Sequence, residues 1–487
     1  MEAGYEAVIG LEVHVQLRTR SKMFCACPNE YGGAPNRHTC PVCLGLPGAL
    51  PVLNAEAVRM AIALGLAVDG EIRARSTFYR KQYFYPDLPK GYQITQGPVA
   101  VVERGRLRIP GDPQVRGGAG TVTVGIERAH LEEDAGKSNH DLGRHDSYVD
   151  LNRAGVPLLE IVGAPDLRSG QEAYDYLKAI HRLVTFLGIC DGNLEEGSLR
   201  CDANVSVRRP GAPLGTRVEV KNINSFRFVR MALDYEIERQ LGLAARGEAF
   251  TQETRGWDAE KGVTRSQRSK EADQDYRYFP EPDLPALVIG AAEIEAVRAA
   301  LPELPEARFQ RFTERYGVSA YEAGLLLQSP AFADFFEAAA AGGSARQVAN
   351  WMLGEVSRTL NEGGLAIEAL ALRPAHLSEL VRMVEDGTVN LNTAKEAVYP
   401  ELLAGTAGPA EIVRRRGLGQ VSDRDAIEAA VRAVLAAHPG QLAQYRGGKD
   451  GLKGFFVGQV MKAGKGKMNP SLVNEVLEQA LAGGETP

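Results

Sequence analysis

The chain has 487 residues, of which 44% are hydrophobic and 24% charged, and its formal net charge is −6. This composition is typical of a globular protein of two to four domains, and no apolar run reaches the roughly 18 residues that a membrane span requires. The negative charge argues against general affinity for nucleic acid, although a local basic patch stays possible. The N-terminal residues start acidic and enter a strand pattern at once, unlike a signal peptide. We therefore expect a cytoplasmic protein.

The first predicted strand ends at Leu17 and alternates apolar and polar side chains. Glu12 and His14 lie on its polar face, about 7 Å apart along the strand. A carboxylate and an imidazole at this spacing are suited to a metal site. A solvated strand face is the ordinary alternative.

Four of the six cysteines follow within nineteen residues, at positions 25, 27, 40 and 43. The segment between the two pairs is rich in turn residues, so the pairs can fold back on one another. Clustered thiolates of this kind typically surround one tetrahedral zinc ion. Ordinary buried thiols or disulfides are the alternative, but clustering favours metal in a reducing compartment. We predict a zinc site formed by Cys25, Cys27, Cys40 and Cys43.

Two tyrosine-rich segments with prolines and cations occupy residues 80–93 and 275–283. Aromatic rings interleaved with Lys and Arg can stack on bases or border a polar tunnel. A packed loop with surface tyrosines explains the same pattern.

Acidic residues follow two further predicted strands. His130 to Asp134 come after an apolar strand, and Glu160 lies inside the apolar run 158–162. A carboxylate there is costly unless it binds a metal or a cation, and oxygen ligands with an imidazole suit Mg²⁺. A strand-end carboxylate or a buried salt bridge is the alternative for Glu160. The ending Gly136-Lys137-Ser138 resembles a phosphate loop, but Leu131 replaces its first glycine, so we reject that fold.

Residues 199–208 alternate cleanly, and residues 217–221 repeat the pattern. Together with the first strand they predict a mainly antiparallel sheet that is packed on one face and polar on the other. A helix starts between these strands at Ser169, where Ser169 and Glu172 have capping-box spacing.

The chain becomes rich in Ala and Leu after residues 281–285. Helices are predicted over residues 321–327, 345–360 and 374–383, and a hinge over 405–408. The sequence thus predicts an α+β protein with a mainly antiparallel sheet domain (1–292), an all-α linker domain (293–407) and a small helical tail domain (408–487).

The stretch 441–468 has a net charge of about +5 and several glycines. In an acidic protein this predicts an electrostatic contact with nucleic acid, whereas a solvated lysine-rich helix end is the ordinary alternative.

Over essentially its whole length, the chain resembles the B subunit family of the aspartyl/glutamyl-tRNA(Asn/Gln) amidotransferases. The segments that carry this resemblance are 10–17, the four cysteines, 83–93, 130–138, 149–160, 195–207, 219–226, 458–462 and 469–470.

The resemblance implies a cradle-shaped catalytic domain and an ATP- and Mg²⁺-dependent carbon–nitrogen ligase. The side-chain carboxylate of Glu or Asp on a misacylated tRNA would be phosphorylated and then amidated, giving Gln-tRNA(Gln) or Asn-tRNA(Asn). Ammonia would come from glutamine hydrolysed on a separate A subunit, with a small C subunit completing a heterotrimer.

The matching positions imply a role for each of several groups. Mg²⁺ ligands and catalytic residues would be Glu12, His14, Glu133 and Glu160. ATP or substrate would contact Arg200, Asp202, Asn204, Glu219, Lys221, Asn222 and Ser225. Ammonia would pass Lys81, Tyr83 and Lys90, with Glu133 near the gate, and tRNA would contact Lys449, Lys453, Lys462, Lys465 and Lys467.

The chain departs from the family pattern at residues 163–166, which read Gly-Ala-Pro-Asp without the usual acidic side chain. Gly464 and Met468 also differ from the commoner small residues of the tail. Two rivals remain: an RNA-binding scaffold without catalysis, and the related archaeal E subunit, whose large inserted domain does not fit in 487 residues. Whether Glu-tRNA(Gln), Asp-tRNA(Asn) or both are substrates stays open.

Overall fold

The computed structural model describes residues 4–139, 146–194, 196–269, 275–420, 423–464 and 468–482. It divides into two compact units, Met1–Pro305 and Glu306–Pro487. None of the described helices combines the length and the apolar character needed to cross a membrane.

The first unit is built around strands. Those that the structure describes are β1 (Glu6–Gln16), β2 (Glu71–Ile72), β3 (Arg75–Ser76), β4 (Phe78–Gln82), β5 (Tyr92–Gln96), β6 (Val102–Gly111), β7 (Gly120–Glu133), β8 (Lys137–Asn139), β9 (Tyr148–Asp150), β10 (Pro157–Gly163), β11 (Leu199–Arg208), β12 (Val218–Lys221), β13 (Glu253–Asp258), β14 (Val263–Ser269), β15 (Phe279–Pro280) and β16 (Leu287–Val288).

Twelve of these described strands form one sheet, in the order β14-β13-β12-β11-β1-β10-β7-β5-β4-β15, with β6 on β7 and β2 on β6. Their pairings are antiparallel except for β12 with β13. The predicted alternation holds: along β11 the odd-numbered residues from Leu199 to Val207 are buried, and along β1 the residues Leu11, Val13 and Val15 are buried. Gly136-Lys137-Ser138 leads into β8 rather than a helix, consistent with the rejected phosphate loop.

Helices cover the apolar face of the sheet. Those described in this unit are α1 (Ala55–Ala67), α2 (Pro113–Arg116), α3 (Gly170–Phe186), α4 (Phe226–Ala245) and α5 (Ala291–Ala300). The predicted helix start is found, because Ser169 Oγ accepts a hydrogen bond from Glu172 N. Leu177, Ile180 and Val184 of α3 are fully buried in the core shared with the strands, each worth about 1.5–3 kcal/mol. The opposite face of the sheet carries the polar side chains.

From Pro305 onward the described elements are helical. They are α6 (Pro305–Tyr316), α7 (Ala320–Leu326), α8 (Pro330–Ala340), α9 (Ala345–Trp351), a π-helical turn (Met352–Val356), α10 (Ser357–Gly363), a 3₁₀ turn (Ile367–Ala369), α11 (Pro374–Glu385), α12 (Leu391–Thr393), a π-helical turn (Ala394–Val398), α13 (Tyr399–Leu403), α14 (Pro409–Arg416), α15 (Arg424–Ala437), α16 (Pro439–Arg446), α17 (Leu452–Ala463) and α18 (Pro470–Ala482).

Helices α15 to α18 share an apolar core of their own, centred on Ile427, Val431, Phe456 and Val473. Helix α14 instead contacts α11 and α13. The predicted fold class, a sheet domain followed by helical regions, is confirmed.

Candidate functional site

A row of ionisable side chains crosses four adjacent strands on the polar face of the sheet. His14 of β1 lies opposite Glu160 of β10 on one side and Arg200 of β11 on the other. Glu160 in turn lies opposite His130 of β7. The strand register alone therefore brings together four residues that are distant in sequence.

Glu160 is the centre of this row. Its Oε2 lies 3.5 Å from His14 Nε2 and 3.4 Å from His130 Nε2. Burial alone would raise the pKa of Glu160, but the hydrogen bonds and charges of His130 and His14 outweigh it and hold the pKa well below its usual range. These two neighbours therefore favour the ionised form of the carboxylate.

Glu132 completes the group. Ligand atoms of His14, Glu132 and Glu160 all lie within 4.8 Å of one another, and His130 Nε2 is 3.6 Å from Glu132 Oε2. Burial disfavours the charged imidazole, yet hydrogen bonds to Glu132 and Glu160 raise the pKa of His130 to about 9. Burial likewise disfavours the charged form of His14, but its hydrogen bond to Glu160 raises the pKa of this imidazole. Two carboxylates and one imidazole at these separations suit a hard divalent cation.

Glu12 borders this group from the next position on the face of β1. Its Oε1 accepts a 2.9 Å hydrogen bond from Asn204 Nδ2. Burial, followed by the charges of Glu160 and Asp202, raises the pKa of Glu12. A cation at this place would relieve the repulsion among the carboxylates.

The row faces a cavity of about 420 Å³. Four cations line it together with His14, Glu132 and Glu160: Lys81, Arg153, Arg200 and Lys221. Arg200 Nη2 donates a 2.7 Å hydrogen bond to Asp134 Oδ2, which also accepts a 2.8 Å bond from Gln16 Nε2. The cavity thus combines a carboxylate pair with fixed positive charge, a combination that suits an anionic substrate and a metal ion together.

Glu133 does not join the group that was predicted for it. It lies on the opposite face of β7, pairs with Lys90 Nζ and accepts a 3.0 Å hydrogen bond from Ile94 N. The register between β10 and β7 shifts between Val162 and Gly163, which turns Glu132 rather than Glu133 toward His14. The structure therefore differs from the predicted ligand set: Glu132 and His130, which were not predicted as ligands, lie with His14 and Glu160, whereas Glu133 lies apart and pairs with Lys90.

The predicted ammonia-channel residues lie on both sides of this strand end. Lys81 and Tyr83 line the large cavity, and Lys81 Nζ lies 5.0 Å from the ring centroid of Tyr276. Lys90 and Glu133 line a smaller cavity of about 90 Å³ that also reaches Cys25 and Cys43.

The predicted ATP- or substrate-binding residues separate into a group that lines the large cavity and a group that does not. Arg200, Asp202, Lys221 and Asn222 line the large cavity. Lys221 Nζ contacts Asp202 at 2.6 Å and Glu219 at 3.1 Å. The Ser225 hydroxyl accepts a hydrogen bond from Phe228 N and caps α4, which is a structural role.

The four clustered cysteines are free thiols whose sulfur atoms lie within 4.8 Å of one another. A hydrogen bond from Cys25 lowers the pKa of Cys43 to about 5 against the opposing effect of burial, with help from the Cys40 backbone and the charge of Lys22. A thiolate at this position and four converging sulfur atoms form a group that could hold a metal ion.

The C-terminal lysines lie on and near α17. Lys449 and Lys462 are exposed, whereas Lys453 is half-buried and pairs with Glu478 of α18. Lys465 and Lys467, also predicted to contact tRNA, lie outside the described residues.

Comparison with known proteins identifies the family. The GatB/GatE catalytic domain family matches residues 7–295, and the GatB domain family matches residues 334–481. Relatives named as the B subunit of an aspartyl/glutamyl-tRNA(Asn/Gln) amidotransferase include one from Anaeromyxobacter dehalogenans, 53% identical over 98% of this chain and 99% of its own. Another from Halorhodospira halophila is 54% identical over 98% of this chain and 99% of its own. The chain therefore belongs to the family of aspartyl/glutamyl-tRNA(Asn/Gln) amidotransferase B subunits, and the predicted family and enzyme class are confirmed.

Proposed function

We propose that this chain activates the side-chain carboxylate of Glu or Asp on a misacylated tRNA with ATP and amidates it with ammonia. The products would be Gln-tRNA(Gln), Asn-tRNA(Asn) or both. The observation that carries the proposal is the cavity in which His14, Glu132 and Glu160 face Lys81, Arg200 and Lys221.

For the metal set we propose His14, Glu132 and Glu160, with Glu12 beside them. The converging ligand atoms fit Mg²⁺, which when bound would neutralise phosphate charge and align the reacting anions. His130 Nε2 lies 3.4 Å from Glu160 Oε2 and 3.6 Å from Glu132 Oε2, so a positive charge on this imidazole would help to hold both carboxylates in place.

The cations of the cavity would orient the anionic groups. Arg200 is held by Asp134, and Lys221 is held by Asp202. Fixed positive charges favour a transition state with more dispersed negative charge than the ground state, because they need no reorganisation.

Ammonia would reach the cavity along Lys90 and Glu133 and then Lys81 and Tyr83. Acidic and basic side chains on such a path can take a proton from ammonium and keep the neutral nucleophile. The source would be glutamine hydrolysed on a partner A subunit, with a small C subunit completing the heterotrimer in the cytoplasm.

We further propose that Cys25, Cys27, Cys40 and Cys43 hold one structural zinc ion. Four sulfur atoms within 4.8 Å of one another and free of disulfides support this assignment. The purified chain should contain about one zinc ion, the stoichiometry of one tetrahedral site. A Cys40→Ser/Cys43→Ser variant should lose it, and unchanged metal content would contradict the assignment.

The tail, with Lys449, Lys453 and Lys462, would contact the tRNA backbone. Its cations and glycines support a shape- and phosphate-based contact. We retain the predicted domains 1–292, 293–407 and 408–487 as part of this proposal.

A scaffold without catalysis is the second candidate, but the converging carboxylates of the cavity argue against it. The archaeal E subunit is disfavoured because the relatives described above are B subunits over 98% of the chain.

The deciding experiment combines the chain with its partner subunits, ATP, Mg²⁺, glutamine and each misacylated tRNA in turn. We expect at least one of the two tRNAs to be amidated, and we expect this amidation to stop when ATP is left out. A complex that hydrolyses glutamine and binds tRNA but amidates neither would contradict the proposal.

A further inference from the structure

Lys22 is a fully buried cation beside the cysteine cluster. Its side chain has no measurable exposure. The ammonium donates to His38 O at 2.6 Å and Leu151 O at 3.3 Å, and its third contact is Cys43 Sγ at 3.9 Å. All three donor positions of the ammonium are thus used.

The charge of Lys22 needs a counter-charge, because burying an ammonium costs several kcal/mol unless it is paired. Among the described residues, the ion pairs within 4.0 Å include none between Lys22 and a carboxylate. The nearby Glu133 already pairs with Lys90. Two carbonyl oxygens contribute only dipoles, which leaves the Cys43 sulfur, 3.9 Å away, as the partner that carries negative charge when it binds a metal ion.

The cysteine cluster has the opposite charge imbalance when it binds a metal ion. Four thiolates around one Zn²⁺ leave an excess of negative charge in a site where Cys27 and Cys43 are buried. A buried cation that touches one sulfur lowers this excess and donates to the thiolate, as groups that contact metal ligands commonly do.

We infer that Lys22 is the built-in counter-ion of the cysteine metal site. Its ammonium contacts the Cys43 sulfur, offsets the negative charge of the metal-bound cluster and slows metal loss. This inference rests on the zinc assignment proposed above.

Through His38 O and Leu151 O, the Lys22 ammonium also joins the segment between the two cysteine pairs to residues 150–152, at the end of β9. His38 N donates to Asn152 Oδ1, and Asn36 N donates to Asp150 Oδ1. Gly155, at φ +86°, also borders this junction: an added Cβ would lie in ordinary van der Waals contact, 3.4 Å from Cys43 Cβ and 3.5 Å from Lys22 Cδ. The ammonium is therefore buried between two segments that contact each other on both sides of it.

The test uses the full-length chain and two substitutions. Lys22→Met removes the charge and the donors, while Lys22→Gln removes the charge but keeps an amide that can donate to the two carbonyls. Arg20→Met is the matched control, because Arg20 is exposed two residues away. Zinc content is measured first, and then the rate at which a chromophoric chelator removes zinc.

We expect both Lys22 variants to release zinc roughly 10- to 100-fold faster than the wild type, and Arg20→Met to match the wild type. In the cobalt-substituted protein, the thiolate-to-cobalt charge-transfer band should shift to longer wavelength in both Lys22 variants, since the thiolate loses a donor. A merely structural role would not move this band.

Zinc-loaded Lys22→Gln with wild-type release and an unshifted band would overturn the inference, even if Lys22→Met does not fold. A wild-type chain without zinc would instead overturn the zinc assignment, and with it the counter-ion role. The two failures are thus distinguishable by the wild-type metal content alone.

Discussion

The cavity of the sheet and the C-terminal helices α15 to α18 hold their charges in opposite ways. In the cavity, Glu160 and its partners come from adjacent strands, and each is fixed by a neighbour. In the helical region, Lys449 and Lys462 extend into solvent from loop and helix surfaces.

This difference indicates different tasks. Buried and mutually fixed charges create one rigid arrangement, which chemistry on a small reacting group requires. Exposed lysines adapt to a long polyanion, and their contacts weaken with salt. Substitutions in the two regions should therefore change different observables.

The largest effect is expected from Glu160→Gln. It removes the charge that both His14 and His130 contact, and the loss of metal binding should lower the amidation rate by about 10³-fold. Amidation by the complex is measured beside glutamine hydrolysis, which should continue. Glu238→Gln, an exposed carboxylate of α4, is the control. Wild-type amidation by Glu160→Gln would remove the cavity from the mechanism.

Glu132→Gln and Glu133→Gln should separate metal binding from ammonia passage. Glu132→Gln should raise the Mg²⁺ concentration required for half-maximal amidation by about 10- to 100-fold. Glu133→Gln should leave that requirement unchanged and impair glutamine-driven amidation more than amidation with added ammonium salt. The measurement is the amidation rate of each variant as a function of Mg²⁺ concentration, with glutamine and with ammonium salt. If Glu133→Gln raises the Mg²⁺ requirement and Glu132→Gln does not, the ligand set predicted from the sequence would be restored.

The choice between these two neighbours shows where prediction from sequence ends. A strict two-residue period continued from the buried Val124 and Ile126 puts Glu133 on the polar face. The structure has buried Ala129 and Leu131 instead, because the register with β10 shifts near this point. A shift of one residue exchanges the two faces of a strand, and within β7 the adjacent polar residues Glu127 and Arg128 are only a weak local sign of it.

Other parts of the site were accessible from the sequence. The pairing of Glu12 with His14 followed from alternation in β1, and the cysteine cluster followed from spacing. The row His14, Glu160 and His130 depends on pairing between strands far apart in the chain, which local periodicity does not contain. In the helical region, the predicted helix over 345–360 was found. Its helical periodicity did not predict the π-helical turn at Met352–Val356.

The pH dependence of metal-free protein tests how the cavity holds its charges. The pKa of His130, about 9 in the folded state, exceeds its ordinary value, so its contribution to stability is complete below about pH 6.5 and is lost as pH rises through 9. We expect wild type to lose about 2 kcal/mol more stability than His130→Gln over this interval. Urea unfolding of both proteins in the presence of a chelator, at several pH values, measures this difference in stability. Parallel curves of stability against pH for the two proteins would show that His130 is not charged.

Deletion of residues 423–487 tests the helical region. The cut precedes α15 and leaves α14 on its contacts with α11 and α13. Apparent KM for tRNA should rise at least about tenfold with a shallower salt dependence, while ATP use stays measurable because the cavity is untouched. If the truncated protein keeps the affinity for tRNA and the salt slope of the full-length chain, the lysines of the deleted region are only a solvated surface.

The smallest effects distinguish single lysines. Lys462→Ala should reduce the salt slope of tRNA binding by about one unit if the exposed ammonium meets one phosphate. Lys453→Ala should change the slope less, because Glu478 already neutralises that ammonium. Glu478→Gln should instead increase the salt slope of tRNA binding, since it frees Lys453 and removes a negative charge facing the tRNA. Filter binding at several salt concentrations compares the three variants. Equal slopes for Lys462→Ala and Lys453→Ala, with no gain from Glu478→Gln, would mean that the exposed and the paired lysine are equivalent, and that the tail charges act only through their total number.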